Sequence, residues 1–389
     1  MVSPLAAGFE APSGDALAFH HRLPGYAPTR MVDAPSLARP LGLRRVLVKD
    51  ESSRLGLPAF KILGASWATY RLLIDRLGFE PSWTTLDELA AAFAPLRPLE
   101  LVTATDGNHG RAVARVARLF RLGAHVFVAA GTAPARVAAI EGEGATVEEV
   151  PGDYDAAVAR SAEAAGERSL LVSDTSWDGY VETPRRVIEG YATIFTEVDD
   201  ALAAAGLASP NVVVIPVGVG ALAAAAIIHY RLTHAEANVV LVGVEPESAD
   251  CVLRSLEAAR RVTVPGPHRS TMVGLNCGTP SLIAWPLLAA GLDWSVTVED
   301  ERAYRAMREL ANEGVGSGET GAAALAGLEG LSEWAETPAR RRDVGLDEEA
   351  TALVLCTEGA TDPAHYRVVV GRDAADVATS ATVLRDGAL

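Results

Sequence analysis

Short apolar runs alternate with longer amphipathic stretches along almost the whole chain. The apolar runs are rich in Val, Ile and Leu, which is typical of strands buried on both faces, and the stretches between them have helical periodicity. The predicted strands cover residues 101–105, 125–130, 169–173, 212–216, 239–245 and 352–356, and the predicted helices include residues 110–120, 133–141, 184–197, 299–312 and 320–331. This alternation predicts an α/β fold built on parallel strands, with helices on both faces.

One uncharged stretch, residues 212–228, approaches the length of a membrane-spanning helix. Pro216, Gly218 and Gly220 interrupt it, with β-branched residues before them and alanines after them. We therefore interpret the stretch as a buried strand, a turn and a buried helix. Residues 336–349 are charged and rich in arginine, and we expect an exposed insertion there.

The composition narrows the class of protein. A chain of 389 residues can bury a large core and is expected to form two domains. Its net charge of −16 argues against nucleic acid or an anionic membrane as a partner, although a small phosphate ligand is compatible with it. The three cysteines have neither the spacing of a metal site nor the even number of a disulfide framework, and the first residues lack the pattern of a signal peptide. We expect a cytoplasmic protein without a bound metal.

The basic residues are almost all arginines. Only Lys49 and Lys61 are lysines among 34 basic side chains. A desolvated lysine amine can form an imine with a carbonyl compound, whereas an arginine stays protonated and cannot. Lys61 follows a strand-like segment that contains Lys49, and it is the candidate for a Schiff base. The alternative is that both lysines merely escaped a general drift toward arginine.

Ligands of open α/β sheets bind at the carboxyl ends of the strands, so the loops after the predicted strands are the candidate site. The loop after residue 105 contains Asp106, Gly107, Asn108 and Gly110. Asn108 can cap the next helix, and the two glycines let the backbone approach a ligand. The Asp106 carboxylate would be stabilised at the start of this helix and could act as a base, although an ordinary capped turn would also explain the loop.

The loop after residue 216 leads into an alanine-rich helix and has the sequence Gly218-Val219-Gly220-Ala221-Leu222. Free backbone amides at the start of a helix can bind a phosphate. The glycine spacing also fits the looser dinucleotide fingerprint, with Glu245 at the end of the next strand in the place of a ribose-binding acid. A nicotinamide-dependent oxidoreductase is therefore an alternative, and so is a tight turn that binds no ligand.

Two further loops have polar groups at strand ends. Asp174 follows the predicted strand 169–173 and precedes aromatic residues, which could wall a pocket or belong to a solvated turn. Cys356 and Thr357 follow the last predicted strand, where a thiol or hydroxyl group could bond a ring nitrogen. A small buried residue and a turn would explain this pair equally well.

Taken in order, these loops resemble those of the fold-type II family of pyridoxal-phosphate (PLP) enzymes. Phe60 and Lys61 resemble the Schiff-base motif, and Asn108 stands where the family has an asparagine beside the ring hydroxyl group. The phosphate loop corresponds to Gly218, Val219, Gly220, Ala221 and Leu222, and the hydroxyl or thiol at the pyridine nitrogen corresponds to Cys356 and Thr357. The resemblance implies PLP as the cofactor and two open twisted sheets, mostly parallel, with helices on both faces.

Within that family the chain resembles the diaminopropionate ammonia-lyases, over residues 46–371. The resemblance is carried by Lys49-Asp50-Glu51-Ser52, Gly56-Leu57-Pro58-Ala59-Phe60-Lys61, Ala104-Thr105-Asp106-Gly107-Asn108-His109-Gly110-Arg111, Asp174-Thr175-Ser176-Trp177-Asp178-Gly179-Tyr180, Gly274-Leu275-Asn276-Cys277-Gly278-Thr279-Pro280-Ser281 and Thr357-Glu358-Gly359-Ala360-Thr361-Asp362-Pro363. Serine and threonine dehydratases of the same fold have a small or hydroxylated residue in the place of Asp106.

The resemblance implies the α,β-elimination of 2,3-diaminopropionate to pyruvate and two ammonia molecules. In that reaction Lys61 would carry the cofactor, Asp106 would take the Cα proton of one enantiomer, and Asp174 or Lys61 would take that of the other. The resemblance also implies a homodimer, and a small α/β domain of residues 72–183 inserted into a large PLP-binding domain of residues 1–71 and 184–389.

Other functions share the cofactor and the fold. A serine or threonine dehydratase would expel a hydroxyl group instead of an amine, and a β-replacement enzyme would add a nucleophile to the same intermediate. A PLP-binding protein without catalysis is the non-enzymatic alternative, and the intact set of Lys61, Asp106, Asn108 and Asp174 argues against it. Two features depart from the family pattern: the phosphate loop has fewer glycines than in many dehydratases, and Cys356 stands where serine is common.

Overall fold

A computed structural model describes residues 9–377 and 382–384. Its strands form a six-stranded sheet and a four-stranded sheet. The strands are β1 (Met31–Asp33), β2 (Arg45–Asp50), β3 (Glu100–Thr105), β4 (Gly123–Ala129), β5 (Thr146–Val150), β6 (Ser169–Leu171), β7 (Val212–Pro216), β8 (Val240–Pro246), β9 (Trp294–Val298) and β10 (Thr351–Cys356). The larger sheet has the order β1-β2-β10-β7-β8-β9 and is parallel except for β1, and the smaller sheet, β5-β4-β3-β6, is parallel throughout.

Helices cover both sheets, as the alternating pattern predicts. They are α1 (Asp15–His21), α2 (Pro35–Leu41), α3 (Ile62–Leu77), α4 (Leu86–Ala92), α5 (Asn108–Leu119), α6 (Pro134–Glu141), α7 (Tyr154–Ala164), α8 (Glu182–Ala204), α9 (Ala221–Ile228), α10 (Cys251–Glu257), α11 (Trp285–Gly291), α12 (Asp300–Asn312), α13 (Glu319–Trp334), α14 (Pro338–Asp343), α15 (Pro363–Val370) and α16 (Ala374–Val377). Among the described residues, no helix is both long and apolar enough to cross a membrane.

Strand β7 shows why the larger sheet is buried on both faces. Side chains alternate between the two faces of a strand. Val213 and Ile215 belong to the hydrophobic core that contains α8 and α9. Val212 and Val214 belong to a separate core that contains α12 and α13. The uninterrupted apolar run therefore fills two cores, and the interpretation of residues 212–228 as strand, turn and helix is confirmed.

Helices α3 and α8 pack closely, and this contact positions the start of α3. A Cβ atom added to Gly190 would lie 2.6 Å from the carbonyl oxygen of Leu63 and 2.8 Å from Cα of Gly64. A Cβ atom on Gly64 would lie 2.6 Å from the Tyr191 ring. Both helices therefore need glycine at the contact for their backbones to approach this closely.

The structure corrects the sequence-based boundaries in several places. Strands β1, β5 and β9 are additional to the predicted ones, and β6 ends at Leu171 instead of residue 173. The expectation of an exposed insertion at residues 336–349 is wrong in part. Val344 and Leu346 are fully buried there, and Arg341 donates to the carbonyl of Leu41 at 2.7 Å, so the segment is anchored to α2 despite its charge.

Candidate active site

A cleft opens at the carboxyl ends of strands from both sheets, where ligands of such folds bind. It encloses about 860 Å³, part of which is open to solvent. The loops after β3 and β6 form one wall, and the loops after β7 and β10 form the other. Lys61, directly before α3, extends into the same space. The fold thus brings together the loops that the sequence identified as separate candidates.

Lys61 is held in a sheltered ion pair. Its Nζ atom donates to Oδ2 of Asp174 at 2.6 Å, and the rings of Phe60 and Tyr191 lie 5.3 and 6.0 Å from it. Burial alone would lower the pKa of Lys61, but the attraction of Asp174 outweighs burial and raises the pKa above its usual value. The amine is therefore a cation fixed by a charge-assisted hydrogen bond.

Asp174 lies beyond the end of β6 and remains ionised. Burial alone would raise the pKa of its carboxyl group, but the Lys61 ammonium holds that pKa well below its usual range. His109 approaches from the other side, with Nδ1 3.9 Å from Oδ2 of Asp174. Burial lowers the pKa of His109, and its Nε2 bonds the carbonyl of Val172 at 2.8 Å. The imidazole is therefore neutral with the proton on Nε2, and its buried Nδ1, which has no hydrogen-bond partner, is an acceptor for a ligand in the cleft.

Asp106 faces the same cleft, and its pKa is moved in the opposite direction. Burial raises the pKa of Asp106 to about 7, although the nearby Arg136 guanidinium opposes the shift and the charge of Asp174 adds to it. The group changes its protonation near neutral pH, which suits a general acid or base. Two carboxyl groups with pKa values moved apart can divide acid and base roles between them.

Asn108 is oriented by a carboxylate that the sequence did not identify. Its Nδ2 atom donates to Oε2 of Glu358, on the loop after β10. The other oxygen of Glu358 accepts the backbone amide of Thr320 at 3.2 Å, and the Glu358 side chain is almost fully buried. The contact fixes the first residue of α5 from across the cleft.

The loop between β7 and α9 forms a cradle for an anion. Gly220 has φ +98°, a conformation that favours glycine. A Cβ atom on Gly218 would lie 3.1 Å from the carbonyl oxygen of Gly274 and 3.2 Å from Sγ of Cys277, so a side chain there would fill the cradle. The first amides of α9 lack acceptors within the helix and can donate to a phosphate. With the Lys61 amine in the same cleft, these groups fit the phosphate and the aldehyde of PLP.

Thr357 and Cys356 have different surroundings. Thr357 lines the cleft, where its hydroxyl is 3.5 Å from the carbonyl oxygen of Thr320. Cys356 is the last residue of β10, and its thiol lies 3.5 Å from the carbonyl oxygen of Glu358 in the core that contains α12 and α13. Of the two residues that the sequence proposed for the ring nitrogen, the structure brings Thr357 to the cleft and leaves Cys356 behind its wall.

Glu245 does not support a nicotinamide-dependent oxidoreductase. Its carboxylate is fully buried and accepts the backbone amides of Val252 and Leu253 at 2.7 and 2.8 Å. These bonds satisfy the start of α10, so the carboxylate stabilises a helix and is not available to a ribose. The alternative of a ribose-binding acid at this position is therefore not supported.

Lys49, the other lysine of the chain, lies in a buried ionic cluster. Its Nζ atom is 2.6 Å from Oε2 of Glu197, and Arg54 donates to Glu197 and Glu51 at 2.6 to 2.9 Å. The cluster connects β2 to α8 and therefore has a structural role. Of the two lysines, Lys61 is the one in the cleft.

Several cleft residues escaped the sequence analysis. Glu358 and Cys277 stand inside the motifs that carry the family resemblance, so the motifs contain a signal for them. Arg136 and Tyr154 belong to α6 and α7, where a charged or aromatic residue has no distinguishing sequence context. The residues that line the cleft without having been singled out include Arg136, Tyr154, Leu275, Cys277, Thr320 and Glu358.

Comparisons with known sequences give consistent similarities. Residues 22–344 of the chain match the family of pyridoxal-phosphate dependent enzymes. The chain is 33% identical over 358 residues to the diaminopropionate ammonia-lyase of Escherichia coli K12, with 90% of this chain and 89% of the relative covered. It is also 33% identical over 381 residues to the diaminopropionate ammonia-lyase of Salmonella typhimurium, with 92% of each chain covered.

Solved structures also match this chain. A crystal structure of the Escherichia coli diaminopropionate ammonia-lyase in complex with D-serine has a TM-score of 0.84 and 33% identity, over 91% of this chain and 90% of that chain. Maize serine racemase has a TM-score of 0.71 at 20% identity, which reflects a shared fold. The similarity to the lyases is therefore present in both sequence and structure, over most of the length of each protein.

Proposed function

The chain belongs to the pyridoxal-phosphate dependent enzymes and, among them, to the diaminopropionate ammonia-lyases, and we propose from this premise how its own residues divide the reaction. The enzyme is a PLP-dependent ammonia-lyase that releases the β-amino group of 2,3-diaminopropionate by elimination and the α-amino group by hydrolysis. With one water molecule consumed, the products are pyruvate and two ammonia molecules. The observation that carries the division of roles is the presence of Lys61, Asp106 and Asp174 in one cleft, with the pKa values of the two carboxyl groups moved apart.

The cofactor would be held by groups from both walls of the cleft. Lys61 would bind it covalently, and the cradle would bind its phosphate through Gly218, Val219, Gly220, Ala221 and Leu222. Asn108, oriented by Glu358, would contact the ring hydroxyl, Thr357 would face the pyridine nitrogen, and Phe60 would pack beside Lys61. When bound, PLP supplies the electron sink that acidifies the Cα–H bond of the substrate.

Asp106 has the properties of a group that both accepts and donates a proton. Because its pKa is about 7, a large fraction of the carboxyl group is ionised at neutral pH and can accept the Cα proton of one enantiomer. The same carboxyl group, once protonated, can donate to the β-amino group, which departs more readily as a protonated amine. This second transfer would distinguish the site from that of a dehydratase, which expels a hydroxyl group.

Asp174 serves the other enantiomer, either as the base itself or through the amine that it orients. Its pKa is well below the usual range, so the carboxylate is ionised throughout the neutral range. It accepts a hydrogen bond from the Lys61 amine at 2.6 Å and so orients that amine. The α-proton of the second enantiomer would therefore be taken on the Lys61–Asp174 side of the cleft.

The substrate assignment is tested by pyruvate and ammonia release from the PLP-loaded protein. L- and D-2,3-diaminopropionate, L- and D-serine and L-threonine are assayed at equal concentrations. We expect kcat/KM to be highest for a diaminopropionate, with two ammonia molecules per pyruvate. A higher kcat/KM for serine, or a 2-oxoacid from threonine as the main product, would place the enzyme with the dehydratases.

We further propose the assembly and division of the chain that the family resemblance implies: a cytoplasmic homodimer, with a small domain of residues 72–183 inserted into a large domain of residues 1–71 and 184–389. All four strands of the smaller sheet fall within residues 72–183, which supports this division. Helices α3 and α8 cross the two boundaries and pack against each other, so they would form the connection between the domains. Light scattering of the purified protein gives the oligomeric state.

A further inference from the structure

A cluster of two histidines and one carboxylate lies outside the cleft. Asp199 is in the last part of α8, and His229 follows directly after α9, the helix that begins at the phosphate cradle. His234 comes five residues after His229, at the end of the same segment. His229 is buried, whereas His234 and Asp199 are partly exposed, so the cluster has one face in the protein and one toward solvent.

The ligand atoms of the three side chains converge. Nε2 of His234 lies 2.9 Å from Oδ2 of Asp199, and Nε2 of His229 lies 3.1 Å from the same oxygen. One ligand atom from each side chain lies within 4.8 Å of the other two. In a tetrahedral zinc site with metal–ligand bonds of about 2.0–2.2 Å, neighbouring ligand atoms are about 3.3 Å apart. Small adjustments of these side chains would reach that geometry.

The backbone is shaped to bring the two histidines together. Residues His229–Thr233 form a π-helical turn, closed by a bond from the amide of His234 to the carbonyl of His229 at 3.3 Å. In an α-helix, residues five apart point about 140° away from each other, because each residue turns the helix by about 100°. The wider π turn places them on one side, with ring centroids 4.8 Å apart. Such turns occur frequently at functional sites.

One nitrogen of the cluster is unsatisfied. Nε2 of His229 is fully buried and has no hydrogen-bond partner, although it lies 3.1 Å from the Asp199 carboxylate, because the ring is not directed along a hydrogen bond. The His229 side chain is only 3% exposed. A buried polar atom without a partner is destabilising, and a metal ion that accepts its lone pair would remove that penalty.

We infer that Asp199, His229 and His234 form a binding site for a divalent transition-metal ion of the Zn²⁺ type. Two imidazoles and one carboxylate suit Zn²⁺, whereas Mg²⁺ and Ca²⁺ prefer sites made of oxygen ligands. Water would complete the coordination on the exposed side. The bound ion would connect α8 to the far end of the helix that begins at the phosphate cradle. The site has no local signal in the sequence, because Asp199 is distant in the chain from the two histidines.

The test uses tag-free, PLP-loaded protein from which metals have been removed with a chelator. Zn²⁺ binding is measured by calorimetry and by the rise in thermal midpoint, with Mg²⁺ as the comparison ion. His234→Ala and Asp199→Asn each remove one ligand. His125→Ala is the matched control, because Nε2 of His125 also lies 3.3 Å from a carboxylate oxygen, that of Glu148, but it belongs to no cluster of three ligands among the described residues.

We expect one Zn²⁺ per chain in the wild type and in His125→Ala, with a higher thermal midpoint in both, since a ligand of the native state stabilises it. Each ligand variant should bind Zn²⁺ at least about tenfold more weakly, because even an outer-shell partner contributes that much. Co²⁺ should give visible d–d absorption bands in the wild type that disappear in His234→Ala. Retained PLP absorption shows that the variants are folded. If both ligand variants bind Zn²⁺ with wild-type affinity, the inference is overturned and the ion belongs to another site, such as the Cys277 thiol. Absence of Zn²⁺ binding to the wild type would also overturn the inference.

Discussion

The Nζ atom of Lys61 lies 2.6 Å from Oδ2 of Asp174, although the two residues are 113 positions apart in the chain. Lys61 precedes α3, beside the larger sheet, and Asp174 follows the edge strand β6 of the smaller one. The contact therefore depends on the way the two sheets face each other across the cleft. It gives the lysine an ionised partner, whereas burial raises the pKa of Asp106, the other carboxyl group of the pair, to about 7.

Replacing Lys61 by alanine should abolish covalent cofactor binding. The variant would lose the Schiff-base absorption and turnover, because no other amine extends into the cleft from the described residues. Lys61→Arg is the matched control: it keeps a positive charge beside Asp174 but cannot form an imine. Borohydride reduction followed by peptide mapping should find the pyridoxyl group on Lys61 in the wild type. A label on Lys49, or full turnover by Lys61→Ala, would contradict the assignment.

The two enantiomers of diaminopropionate should have different pH profiles. Turnover of the enantiomer that depends on Asp106 requires the ionised Asp106 carboxylate, and the pKa of this group is about 7. The kcat/KM for that enantiomer should therefore rise with pH up to about 7 and fall about tenfold for each pH unit below 7. The other depends on the Asp174 side, where the low pKa leaves the carboxylate ionised in this range. The free enantiomers share the same pKa values, so a difference between the profiles arises from the enzyme. Two superimposable profiles would remove Asp106 as the titrating base.

Gly190→Ala should destabilise the fold and weaken cofactor binding together. The new Cβ atom would lie 2.6 Å from a backbone oxygen of α3, so the helices must separate. Overpacking of this kind destabilises proteins by about 1–3 kcal/mol, and here it displaces the helix that Lys61 precedes. Thermal midpoint and PLP occupancy measure the two effects. Gly166→Ala is the control, because its Cβ atom would meet no atom within 4 Å, and equal midpoints for the two variants would refute the close-packing explanation.

Glu197→Gln should lower the free energy of unfolding by about 3–5 kcal/mol at neutral pH, because it leaves buried Lys49 and Arg54 without part of their countercharge. Burial opposes ionisation of Glu197, but Arg54 and Lys49 lower its pKa from 4.5 to about 2. The stabilisation from this group is therefore complete above pH 4.5 and is lost as the pH falls toward 2.

Urea unfolding followed by tryptophan fluorescence measures this effect at pH 7 and at successively lower pH. The difference between the wild type and Glu197→Gln should shrink as the pH falls. The control is Asp200→Asn, an exposed carboxylate on the same helix, for which a change within about 0.5 kcal/mol is expected. A difference that stays constant down to acid pH would show that Glu197 contributes through packing and not through its charge.

The central strands could be predicted from sequence, but of the four edge strands only β6 was predicted. β7 was predicted to the residue because both of its faces are buried, which requires an uninterrupted apolar run. β1, β5 and β9 lie at the edges of the two sheets. Edge strands are partly solvated, and β5 contains two glutamates in its five residues, so the hydrophobic signal is weak.

The candidate site was predictable one loop at a time, but its interactions were not. The motif around Lys61 and the strand-end position of Asp174 both mark candidates, yet nothing local to either indicates that they form an ion pair. The direction in which the pKa of Asp106 moves depends on burial, which the loop sequence does not specify. The same is true of Glu358, whose role depends on its contact with Asn108 across the cleft.

The most direct test of the account measures kcat/KM for L- and D-2,3-diaminopropionate with Asp106→Asn and Asp174→Asn. Both substitutions nearly preserve side-chain volume while they remove a proton acceptor. We predict that Asp106→Asn loses turnover of one enantiomer by on the order of 10²-fold or more and retains the other, and that Asp174→Asn has its larger effect on the other enantiomer. Equal losses on both enantiomers in both variants, or unchanged rates in Asp106→Asn, would contradict a division of the reaction between the two carboxyl groups.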